Sequence, residues 1–168
     1  MEISVESIRD LRLETGAGVM DCKRALQESD GNFEQAVVLL RTQGMATAAK
    51  KASRATNEGI VEAYIHPGNR VGAIVEINCD TDFVGRTPEF RELAHNLAMQ
   101  IAAMDPQYVT RFDGDDDHKS ELSEDYLLEQ AFIKDTSITI QDLINDMVAR
   151  VGENVRVRRF SRFSLGED

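Results

Sequence analysis

Apolar positions recur at helical spacing through the first 44 residues, and then the period changes. Val5, Ile8 and Leu11 are spaced for one helix face, with Ser4 placed to cap its start. Thr15-Gly16-Ala17-Gly18 interrupts the pattern, because glycine turns tightly at little steric cost. Val19, Cys22, Ala25 and Leu26 form a second stripe, stopped at Asp30-Gly31-Asn32. Asn32 is a good N-cap for a third helix carrying Phe33, Ala36, Val37 and Leu40, and Gly44 is expected to cap its end. The spacing therefore predicts a compact three-helix domain over 1–45. Residues 46–57, rich in Ala and Lys without a broad apolar face, predict a helical linker.

From 58 onward the period is two. Val61, Ala63 and Ile65 alternate with Ile60, Glu62 and Tyr64 up to the turn cluster His66-Pro67-Gly68-Asn69. Val71, Ala73, Val75, Ile77 and Cys79 then alternate with Gly72, Ile74, Glu76 and Asn78, which predicts a β-hairpin with one core face. After the connection Asn78-Cys79-Asp80-Thr81-Asp82-Phe83-Val84, Thr87 and Pro88 open a helix whose stripe runs from Phe90 to Ala102. A short helix is expected around 123–132. Another is expected from Thr139, with Asp142 as the capping-box acid and Gly152 as the stop. Residues 154–165 alternate again and predict a third strand. The fold class is α+β: a helical domain followed, over 58–168, by an antiparallel sheet of about three strands covered by helices.

The chain carries a net charge of −11, which argues against general binding to nucleic-acid phosphates. The basic residues gather towards the two ends, and Arg156, Arg158, Arg159 and Arg162 fall on the last strand, where ion pairs within the chain are the simpler expectation. No apolar run approaches the ~20 residues of a membrane span. No secretory leader is visible, and Cys22 and Cys79 are too far apart for a CxxC motif, so a cytoplasmic protein with reduced thiols is expected. No phosphate-binding glycine loop and no nucleophile–base set occur, so the chain is not expected to be an enzyme or to need a cofactor. Asp113, Asp115, Asp117, Glu121 and Glu124 fit five positions of a calcium-loop template. His118 replaces its turn glycine and Ser120 its apolar residue, so no metal is expected and the segment reads as a solvated acidic loop.

Phe83 has two readings. Either it folds back into the core from an ordinary strand-to-helix turn, or it is an aromatic finger, flanked by carboxylates, that a partner receives.

The runs LRLETGAGVMDCKRAL (11–26), DGNFEQAVVLLRTQG (30–44), AAKKASR (48–54), EGIVEAYIH (58–66), NCDTDFVGR (78–86) and VGENVRVRRFSRF (151–163) together resemble the elongation factor Ts family along nearly the whole chain. The resemblance implies a ubiquitin-associated-like N-terminal domain and a guanine-nucleotide exchange factor for elongation factor Tu, bound in its GDP-loaded and nucleotide-free forms. It also implies that Thr81, Asp82 and Phe83, with Asp80 and Val84 beside them, enter near the magnesium and phosphate end of that partner's nucleotide site. Leu11, Arg12, Val19 and Met20 stand where the family's N-terminal turn touches the partner, with Val19 in place of a common Met. Longer members carry a second core subdomain, and this chain has room for one copy, which implies a homodimer. Ser161 leaves no thiol in the last strand to join such a pair covalently. The alternative is an adaptor that tethers a protein through residues 1–56 without exchange.

Overall fold

The computed structural model describes residues 3–111 and 120–167. Asp113, Asp115, Asp117 and His118 of the calcium template, and hence the acidic loop 113–117, lie outside the described residues. The chain divides into two compact units. One ends at Ser53 and takes in Asn145–Asn154, and the other runs Arg54–Ile144 and resumes at Val155.

The first unit contains α1 (Val5–Thr15), α2 (Val19–Glu28) and α3 (Phe33–Lys51). Ser4 and Asn32 cap α1 and α3 by accepting from the backbone N–H three residues on, at 3.0 Å in each case. Leu11, Cys22, Ala25, Leu26, Ala36 and Leu40 make the core. Gly44 does not end α3, which continues through the expected linker to Lys51. A Cβ on Gly44 would stand 3.3 Å from Ala149 Cβ, so this glycine serves close helix packing rather than capping. The packed neighbour is the second half of α6 (Ile140–Val151).

The second unit is built on an antiparallel sheet of β1 (Glu58–Ile65), β2 (Val71–Cys79) and β5 (Val155–Ser164) in the order β1-β2-β5. Ala73, Val75, Ile77 and Cys79 are buried on the face covered by α5 (Pro88–Met104), whose buried stripe is Phe90, Leu93, Ala94, Leu97, Ala98 and Ile101. Thr87 caps α5 as expected, accepting from Phe90 N–H. The opposite sheet face carries exposed Val61, Ile65, Ile74 and Phe163. A β-bulge between Glu76 and Ile77 puts Arg158 and Arg159 opposite the single residue Glu76.

The helix expected at 123–132 is instead two single 3-10 turns, Ser123–Asp125 and Leu127–Glu129, leading into β3 (Ala131–Phe132) and β4 (Asp135–Thr139). Buried Gln100 determines this outcome. Its amide donates to Gln130 Oε1 and Ala131 O and accepts from Ile133 N–H, all at 3.0 Å, and so fixes the segment to α5 in extended form. Thr139 and Asp142 form the expected capping box at the start of α6.

Candidate functional site

The NCDTDFV segment leaves β2 at Cys79 and forms a single helical turn, α4 (Asp82–Gly85), before Thr87 opens α5. Its inner side is tightly seated. Cys79 donates its thiol to Thr81 O at 3.1 Å, Val84 is 8% exposed, and Thr87 Oγ1 donates to Val84 O at 2.8 Å. Gly85 lies over Gly59, and a Cβ there would touch Gly59 O at 3.5 Å and Cys79 Sγ at 3.7 Å. Gly59 has φ +148°, and any Cβ on it would overlap the Ile77 carbonyl, so only glycine lets β1 lie this closely against β2 beneath the turn.

The outer side is the reverse. Phe83 is 79% exposed, so it does not fold back into the core. An aromatic side chain this open, on a turn tied at both ends, costs solvation without adding stability, which is the character of an interface anchor. Asp82 pairs with Arg86 at 2.8 Å on the same turn. Asp80 is mostly buried and faces Arg54 at 3.7 Å. Val84 belongs to the seat rather than to the exposed finger.

Of the N-terminal residues, Arg12, Val19 and Met20 are exposed around the α1–α2 turn. Met20 is the most open of the apolar pair, at 69%. Leu11 is a correction to the sequence expectation. It is fully buried among the three helices and offers no side chain to a partner.

Along β2, Glu76 accepts from Asn78 Nδ2 at 3.2 Å and from Arg159 Nε at 2.7 Å, with Arg158 at 3.8 Å. The bond from Asn78, then that from Arg159, holds its carboxyl below the usual range. Burial pushes the Cys22 thiol up, so this cysteine acts as a small apolar core residue. Among the described residues no cluster of three or more His, Cys, Asp or Glu could hold a metal, and no helix is long and apolar enough to cross a membrane. What the site offers is an exposed aromatic with a carboxylate and a guanidinium on one turn. Sequence reasoning passed over Arg86 and Gly59. The i, i+4 spacing of Asp82 and Arg86 was a usable signal for the first.

Residues 22–121 match the family model described as Elongation factor TS. The chain is 46% identical to Elongation factor Ts of Thermotoga neapolitana, with all of both chains covered. It is 45% identical to that of Carboxydothermus hydrogenoformans, over 98% of this chain and 90% of the relative. It is 44% identical to the chloroplastic Elongation factor Ts of Guillardia theta, over 99% and 90%.

Proposed function

This chain belongs to the elongation factor Ts family of translation elongation factors, and we propose that it is a guanine-nucleotide exchange factor for elongation factor Tu. The observation that carries the reading is the exposure of Phe83 on a turn seated against Gly59 and Cys79. No group is transferred. The magnesium and nucleotide belong to the partner, and the chain works in the cytoplasm as a protein-binding wedge.

An exchange factor must bind its nucleotide-free partner better than the loaded one, and linkage makes factor and nucleotide weaken each other equally. Accelerating release ~10⁴-fold requires lowering the barrier by ~5.5 kcal/mol. Burying one Phe supplies about 1.5–3 kcal/mol. Phe83 and Asp82 therefore act together with a second contact, for which Arg12, Val19 and Met20 are the exposed candidates.

The test is release of fluorescent GDP from elongation factor Tu by sub-stoichiometric amounts of this protein. Phe83→Ala and Asp82→Ala are expected to slow release without abolishing it and to leave the melting temperature unchanged, because both side chains lie outside the core. Fast release insensitive to both would move the mechanism to residues 1–56. No release with retained binding to the partner would favour the tethering adaptor.

A homodimer is part of the proposal, and the open sheet face supports it. Its cross-strand rows are Val61-Glu76-Arg159, Ala63-Ile74-Ser161 and Ile65-Gly72-Phe163. The last two rows form an apolar patch that a second copy would cover, sheet against sheet.

A further inference from the structure

We propose that Arg86 is a positioning residue for the finger: it orders the Asp82 carboxylate and cancels its charge, so that Phe83 advances on a turn of no net charge. This rests on the exchange reading above.

Helix α4 is one turn long, and its N-cap Thr81 makes no side-chain capping bond. Isolated turns of this length are unstable in water. The seat formed by Val84 and Gly85 fixes the back of the turn, whereas Asp82 is 44% exposed and Arg86 75%. Arg86 engages Asp82 twice: its backbone N–H donates to Asp82 O at 3.2 Å, and its Nη2 donates to Asp82 Oδ2 at 2.8 Å. The guanidinium therefore sets which way that carboxylate points.

The charge argument is separate. The two carboxylates of the segment each have their own arginine, Arg54 for Asp80 and Arg86 for Asp82. A bare carboxylate moving towards a bound diphosphate meets like charge, and the repulsion grows as water is excluded. Pairing with Arg86 removes that opposition until the finger is in place.

The test uses the full chain with Arg86→Met, Arg86→Lys, Asp82→Asn and the Arg86→Met/Asp82→Asn double variant. Three-bond coupling constants in the free protein report the Asp82 χ1 rotamer. One rotamer is expected in the wild type and in Arg86→Lys, and averaging in Arg86→Met. In GDP release from elongation factor Tu, Arg86→Met is expected to lower the maximal rate about three-fold, the scale of an exposed ion pair. The half-saturating concentration should change less, Lys should restore most of the rate, and the Asp82→Asn background should show no further loss. A single Asp82 rotamer in Arg86→Met, or an equal loss in both backgrounds, would overturn the proposal. If the wild type releases no GDP, the exchange reading fails and takes Arg86's part in exchange with it, while the couplings still decide whether Arg86 orders Asp82.

Discussion

Gly59 and Gly85 face each other beneath the finger, yet they should respond to the same substitution in opposite ways. At Gly59 an alanine meets backbone, the Ile77 carbonyl and Asn78 Cα, at a φ of +148° that L-residues rarely adopt. Neither atom can swing aside as a side-chain tip would. Gly59→Ala should therefore cost about 3 kcal/mol or more of folding stability, seen as a lower denaturant midpoint. At Gly85 the nearest atoms to an added Cβ lie at ordinary contact distance, from 3.5 Å, and its φ is not positive. Gly85→Ala should be neutral, or stabilising by up to about 1 kcal/mol through helix propensity. Comparable losses at both sites would contradict the seating described here. Neither requirement was legible in the sequence, because a glycine's letter does not say what stands opposite it. The same limit explains Leu11 and Phe83. Both are large and apolar, and only the packing decides that one is core and the other is offered outward.

The elements were more legible where period and punctuation agree. The three N-terminal stripes, the hairpin at 66–70, the Thr87–Pro88 helix start and the last strand all appear where alternation or capping residues put them. Gly44 misled because a glycine near the end of a stripe reads alike as a cap and as a close contact. The strands β3 and β4 were missed because a distant partner, Gln100, holds that segment extended. The bulge on β5 was also invisible, and it yields a test at this scale. Glu76 faces Arg158 and Arg159 across it, with its carboxyl held below the ordinary range first by Asn78 and then by Arg159. A folded-state pKa below the unfolded one adds stability at neutral pH. That stability is lost as pH falls from about 4.3 through the lower folded value. Glu76→Gln should then cost about 1 kcal/mol at pH 7, a modest figure because both arginines are largely exposed and solvent screens them. Denaturation of both proteins at pH 7 and again below the carboxylate range should show the gap closing. A gap independent of pH would mean that the side chain matters through packing alone.

For the whole molecule, the question is how firmly two copies would hold together. The open face is three strands wide, with β1 eight residues long. Strand spacing of ~4.8 Å and a rise of ~3.3 Å per residue make it roughly 400 Å². A stable complex covers about 800 Å² on each partner. The face alone is thus half the usual size, and each copy also brings a net charge of −11 to the encounter. Repulsion between like-charged copies is screened beyond about 10 Å in 0.1 M salt, whereas apolar contact is not weakened by salt. On these terms such a dimer would form reversibly with concentration and tighten as salt is raised, the opposite of a pair held by surface ion pairs. Phe163, 73% exposed in the apolar row with Ile65 and Gly72, is the side chain on which such a dimer would depend most. Phe163→Arg should shift the light-scattering mass to the monomer at every concentration and salt level without changing the melt of the isolated chain. A wild type that stays monomeric at high concentration and high salt would leave the open face to a different protein, and the chain would then work as a single copy.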